Sequence, residues 1–203
     1  MRTKSEISEL IIANDSISPF LRFYFQLNHL KALYRQGWLK RGIAEGDCET
    51  VAEHVYGAAL LTLVLAHAVS SDLDINRALQ MALIHDLGEI YVGDLTPSDG
   101  VPQDEKSELE SKAVQKITSD LPGGEVIKSL WQEYEACETL EARLVHQIDR
   151  LEMGLQAGVY SLKGAVGMDE FFASAGEALK DELLVSLLAE LKRTVSPEGN
   201  LIQ

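Results

Sequence analysis

The stretch that decides how this chain is read is RALQMALIHDLGEIYVGDLTPSD, Arg77 to Asp99. Its first half carries apolar residues at helical spacing, Ala78, Leu79, Met81, Ala82 and Ile84, and predicts a core helix. A soluble core helix normally ends in a cap and solvent-facing polar groups. This one runs into His85-Asp86, then Gly88, Glu89 and Gly93-Asp94, and closes on a Thr-Pro turn. Buried without partners, such groups would cost roughly several kcal/mol. A divalent cation satisfies a histidine and several carboxylates together, so the pattern points to a metal centre.

Outward from this stretch the apolar residues keep recurring at three and four positions, and few segments alternate. The fold class is therefore all-α. On the N-terminal side, residues 1–16 read as a lead-in broken at Asn14-Asp15-Ser16. Ile17 to Tyr34 is a packing helix with Ser18 as N-cap and Pro19 at its first position. A polar connection follows, in which Arg35, Lys40 and Arg41 form the densest basic patch, either a solvated loop or a lip for a phosphate-bearing ligand. Thr50 and Glu53 have capping-box spacing and open a helix to Val69, with His54 in its first turn. His67, thirteen residues on, faces about 220° away and is not read as a ligand; His29 has no supporting pattern.

On the C-terminal side, residues 100–120 and 125–137 predict two further packing helices, separated by Pro122-Gly123-Gly124. Thr139 to Tyr160 predicts a longer helix with an apolar face of Leu144, Val145, Ile148, Leu151 and Leu155. Asp149 sits at the edge of that face and His146 is a reserve candidate. Gly158, Gly164 and Gly167 mark a loop or kinked end, and Glu177 to Val195 a last amphipathic helix. With no internal repeat, the expectation is one domain over 1–203, its core at about 17–160 and a C-terminal helix at about 177–195.

The 203 residues include 32 acidic and 18 basic side chains, a formal charge of −14. That balance argues against a nucleic-acid partner, which needs a basic footprint, but not against a small anionic substrate. The N-terminal residues lack the apolar core of a signal peptide. The longest apolar run, Ala58 to Val69, is short for a bilayer of roughly 30 Å, so no membrane is expected. Cys48 and Cys137 stand apart without a CxxC, which fits a reducing cytoplasm.

Taken together, His54, the His85-Asp86 pair and Asp149 resemble the H…HD…D pattern of the HD-domain metal-dependent phosphohydrolases. The words TVAEH at 50–54, ALIHDLGE at 82–89, VGDLTPSD at 92–99, EK at 105–106 and QIDRLEMGLQA at 147–157 are similar to its 5′-deoxynucleotidase branch. The resemblance, over roughly Phe20 to Tyr160, implies a compact helical bundle with a buried divalent-metal site. It implies a homodimer that hydrolyses deoxynucleoside 5′-monophosphates to nucleoside and phosphate. His54, His85, Asp86 and Asp149 would hold one cation, Mn, Co, Fe or Mg. Glu89 would handle the proton of the attacking water or of the departing 5′-oxygen, and Asp94 would contact the sugar. A second cation at Glu89 and Asp94 is a further expectation.

These residue types suit that chemistry: two imidazoles and two carboxylates give an N/O site with open positions. One feature departs from the pattern. The family's phosphate-contacting arginine, in a Leu-Lys-Arg context, meets Leu30-Lys31-Ala32 here, leaving Lys31 or Arg35 to substitute. Trp38 either walls the nucleoside site or packs in the core. The alternatives are another phosphoester, a cyclic nucleotide or nucleoside triphosphate, and a non-catalytic metal or nucleotide sensor.

Overall fold

The structure, a computed structural model, describes residues 1–4 and 17–196; most of the lead-in and the tail beyond Ser196 lie outside the described residues. Among the described residues there are helices and two isolated backbone bridges, and no strand. The all-α expectation holds. The chain divides into two compact units, Met1–Tyr56 with Leu83–Ala136, and Gly57–Ala82 with the residues from Cys137 onward.

In the first unit, α1 spans Pro19–Leu30, and Ser18 Oγ accepts from Leu21 N at 3.3 Å as its N-cap. The helix stops four residues short of the expected Tyr34. Residues 32–34 are used in backbone pairing instead: Lys4 N donates to Ala32 O at 2.7 Å, Val51 N donates to Leu33 O at 2.9 Å, and Tyr34 bridges Thr50. The stretch expected as a polar connection contains a short helix, α2, Gln36–Lys40. Trp38 draws it inward, 1% exposed, with its indole N–H donating to Glu49 Oε1 at 2.7 Å.

Helix α3, Val51–Val69, begins at the expected capping box: Thr50 N donates to Glu53 Oε2 at 2.7 Å and Glu53 N to Thr50 Oγ1 at 3.3 Å. At 19 residues it is apolar enough by length and composition to cross a membrane, because it begins seven residues before the run counted from Ala58. A buried core helix meets the same criterion. α3 also carries the fully buried polar groups His54 and Thr62, the latter donating to Ala58 O at 2.9 Å.

α4 covers Ile75–Ile84, α5 Glu89–Val92, α6 Gln103–Thr118 and α7 Gly124–Ala136, with a 3₁₀ turn at Pro97–Asp99. The core of the first unit is Leu30, Leu33, Val51, Val55, Leu87, Ile90, Val114, Ile117 and Trp131. Leu87 and Ile90 bracket Gly88 and Glu89, so the turn that carries the acidic residues is fastened to the core.

In the second unit, α8 spans Leu140–Leu162 from an N-cap at Thr139. Gly158 lies inside this helix rather than at a break. A Cβ there would stand 2.7 Å from both methyl carbons of Leu191, so the glycine admits a neighbouring helix. The glycines at 164 and 167, with φ of +91° and +77°, make the loop that follows. A helix that was not expected, α9, Asp169–Ala178, comes before the last one, and the helix expected at 177–195 begins five residues later as α10, Glu182–Val195. Asp181 Oδ1 accepts from Leu183 N and Leu184 N at 2.9 and 3.3 Å and caps the start of α10.

Candidate metal centre

α4 ends at Ile84, just before His85-Asp86. Leu87 N donates to Ile84 O and Glu89 N to Asp86 O, both at 3.0 Å, so residues 85–88 form turns before α5 begins. The turns present His85 and Asp86 on the same side as His54. His85 Nε2 and His54 Nε2 lie 3.3 Å apart, with the rings edge to face. Asp86 Oδ2 lies 3.3 Å from His85 Nε2 and 3.7 Å from His54 Nε2.

Two nitrogens and a carboxylate oxygen thus converge, and Asp86 Oδ2 is buried without a hydrogen-bond partner. Native interiors seldom leave such an atom unsatisfied. If both imidazoles were neutral with the proton on Nδ1, two lone pairs would face each other at 3.3 Å. The donor set fits a divalent cation, which His54, His85 and Asp86 would hold and which would relieve that repulsion. Burial pushes the Asp86 carboxyl up, but the pull of the His85 and His54 imidazoles outweighs it and holds Asp86 well below the usual carboxylate range.

His85 is fixed by its surroundings. Its carbonyl accepts from Trp131 Nε1 at 3.2 Å, and its ring packs on Tyr134 with centroids 5.6 Å apart. Glu89, 2% exposed, has an Oε2 with no hydrogen-bond partner. Burial, then the charges of Asp86 and Asp94, push its carboxyl well above the ordinary value. The first residue of α5 therefore favours holding a proton.

Gly93, at φ +82°, turns the chain out of α5 and delivers Asp94, which is 5% exposed. Asp94 Oδ1 accepts from Arg35 Nη1 at 2.8 Å, and Oδ2 accepts the backbone N–H of Gln36. Each oxygen thus accepts one donor and keeps a second lone pair. Beside this pair lies a pocket of about 420 Å³ lined by Met1, Arg2, Gln36, Leu39, Lys40, Asp94 and Asp99.

The HD-domain family model matches residues 27–187. The chain belongs to the HD-domain family. A curated relative from Dictyostelium discoideum, named 5′-deoxynucleotidase HDDC2, is 37% identical over 188 residues, covering 87% of this chain and 98% of its own. Among solved structures, the PH0347 protein from Pyrococcus horikoshii OT3 is 33% identical with a TM-score of 0.75, covering 87% of this chain and 99% of that one. A protein from Magnetospirillum magnetotacticum, titled a predicted metal-dependent phosphohydrolase, is 26% identical with a TM-score of 0.67, covering 91% and 97%.

Lys31 is exposed and holds its ammonium 5.2 Å from the centre of the Tyr24 ring. Lys40 is held by Thr96, Ser98 and Asp99, the last at 2.7 Å. Trp38 is buried. Asp149 lies on α8 in the second unit, half-buried, with Arg150 Nε 3.6 Å from its Oδ2. His67 is exposed, in keeping with its reading as a non-ligand.

Three participants went unread in the sequence. Trp131 and Tyr134 lie in the helix expected over 125–137 for packing alone, although they seat His85. Glu110 carried no signal beyond its place after the EK word at 105–106. It packs against Gly88 so closely that a Cβ on the glycine would lie 2.8 Å from Glu110 Cβ.

Proposed function

We propose that this HD domain is a metal-dependent phosphohydrolase that converts deoxynucleoside 5′-monophosphates to deoxynucleosides and phosphate. The observation that carries this is the convergence of His54, His85 and Asp86 around a buried, unbonded carboxylate oxygen. The relatives supply the substrate class: the 37% identical one is named a 5′-deoxynucleotidase over nearly its whole length.

His54, His85 and Asp86 would hold the cation, and the sequence pattern supports Asp149 as the fourth ligand. A divalent cation there supplies Lewis acidity toward a phosphoryl oxygen and acidifies water. The donor set admits Mn, Co, Fe or Mg. Glu89 keeps its proton to higher pH than an ordinary carboxyl, which suits it to protonate the departing 5′-oxygen. Arg35 holds Asp94 in one orientation against the 420 Å³ pocket, which supports a role for Asp94 in contacting the sugar. A cytoplasmic homodimer is the setting we propose; both cysteines are free thiols, compatible with a reducing compartment.

The test is phosphate release from a panel of deoxynucleoside and ribonucleoside 5′-monophosphates with Mn²⁺, Co²⁺ or Mg²⁺. Metal-dependent release favouring the deoxy forms, and abolished by Asp86→Ala, is the expected result. Equal release from the Asp86→Ala protein refutes the site. Release confined to cyclic nucleotides or triphosphates refutes the substrate.

A further inference from the structure

Four carboxylates, Asp86, Glu89, Asp94 and Glu110, crowd the turns between residue 85 and the face of α6. A phosphomonoester adds about 1.5 to 2 negative charges near pH 7. One divalent cation offsets only part of that total, so side-chain cations must meet the phosphate. The charges of Arg35 and Lys106 both pull the Glu89 carboxyl down against its burial. Arg35 is committed by a 2.8 Å ion pair to Asp94. Ala32, which stands where the family resemblance implies an arginine, is buried, and Lys31 points to solvent.

We propose that Lys106 is a substrate-binding residue that receives the phosphate of the monoester, leaving Glu110 to do so. The inference rests on the phosphohydrolase reading above and names the phosphate contact within it. Lys106 stands one turn before Glu110 on α6, at the point where that helix touches the turn bearing Asp86 and Glu89. The Gly88–Glu110 contact admits no Cβ, which fixes the helix there. The lysine side chain is only 26% exposed, yet its ion pair to Glu110 spans 3.5 Å. Charge-assisted bonds made at full strength measure about 2.7–2.9 Å. Arg35 and Lys40 make such bonds, at 2.8 and 2.7 Å. Lys106 is thus a mostly buried ammonium, loosely held, beside an acid cluster that keeps it charged. A flexible four-carbon stem lets it turn from Glu110 toward a phosphoryl oxygen.

The experiment measures binding to metal-loaded full-length protein by titration calorimetry, with inorganic phosphate and, separately, 2′-deoxyadenosine, which has no phosphate. Lys106→Gln is the main variant, because an amide can still donate to Glu110. Lys106→Met, which keeps the apolar stem, serves if the first does not fold. The Kd for phosphate should weaken tenfold or more in either. Lys106→Arg should restore it to within threefold, and the Kd for 2′-deoxyadenosine should stay within twofold throughout. Unchanged phosphate affinity, equal loss of both ligands, or a wild type that does not bind phosphate overturns the proposal. A wild type that binds phosphate but releases none from any monophosphate overturns the proposed substrate instead.

Discussion

Replacing Gly88 with alanine tests the seat of the whole site. Gly88 has φ −60° and ψ −30°, a conformation alanine adopts without strain. On backbone grounds alone, the substitution should stabilise the protein by about 0.4–1 kcal/mol through the unfolded chain. The packing says the opposite. The new Cβ would lie 2.8 Å from Glu110 Cβ and 3.0 Å from its Cα and Cγ. Carbon atoms prefer about 3.5–4.0 Å, so α6 would have to retreat by roughly 0.5–1 Å. It cannot do so freely, because Val114 and Ile117 of α6 sit in the core with Leu87 and Ile90. Overpacking of this kind costs about 1–3 kcal/mol, leaving a net loss of about 1.3 kcal/mol at mid-range and at most about 2.6 kcal/mol. For a chain of this size, the mid-range loss lowers the melting temperature by about 3–5 °C. Thermal melts of metal-free protein read it directly, and titration with Mn²⁺ should show weaker binding, because Gly88 lies between Asp86 and Glu89. A melting temperature at or above wild type, with unchanged metal affinity, would show that α6 does not bear on the turn.

Other consequences follow from neighbouring contacts. Burial, with the charges of Asp86 and Glu135, pushes the Glu110 carboxyl from 4.5 up to about 7 against the pull of Lys106. Between these pH values the folded state keeps a proton that the unfolded state has lost. Stability therefore falls as pH rises through this window, by at most about 3 kcal/mol, and levels off above it. Urea midpoints of metal-free protein at pH 5 to 8 should show a shallower fall for Glu110→Gln; parallel curves contradict the assignment. Trp131→Phe removes the donor to the His85 carbonyl and should cost about 1–3 kcal/mol while loosening the metal ligand. A variant with wild-type stability and metal affinity would show that the indole does not seat His85. In the second unit, Gly158→Val should lower the melting temperature, since Leu191 fills the space at 2.7 Å; no change would mean α10 yields.

The parts of the fold that were legible in the sequence are those made by near neighbours. The Thr50–Glu53 capping box, the Ser18-Pro19 start and the apolar stripe running into His85-Asp86 all depend on residues within a turn or two. The end of α1 did not show, because residues 32–34 are claimed by residues 2–4 and 50–51, far away in sequence. Trp38 was hidden among Arg35, Lys40 and Arg41, and only its bond to Glu49 and its burial reveal an inward helix. Gly158 read as a breaker because a glycine looks the same whether it ends a helix or admits a leucine. The Asp181 cap is a local signal, its carboxylate accepting from amides two and three residues on. Within the site, residue types identified the histidines and acids. The pairing of Arg35 with Asp94, 59 positions apart, and the pressure of Glu110 on Gly88 lie beyond any spacing rule.

The most direct test of the account is metal content set beside turnover. Protein stripped with chelator and reloaded with Mn²⁺ should bind the ion through His54, His85 and Asp86. Phosphate release from a deoxynucleoside 5′-monophosphate should rise in proportion to bound metal. His54→Ala, His85→Ala and Asp86→Ala should each lose the ion and the activity together while keeping the helical circular dichroism signal. Undiminished turnover in the stripped protein, or metal bound as tightly by all three variants as by wild type, would contradict the assignment of this cluster as the catalytic centre.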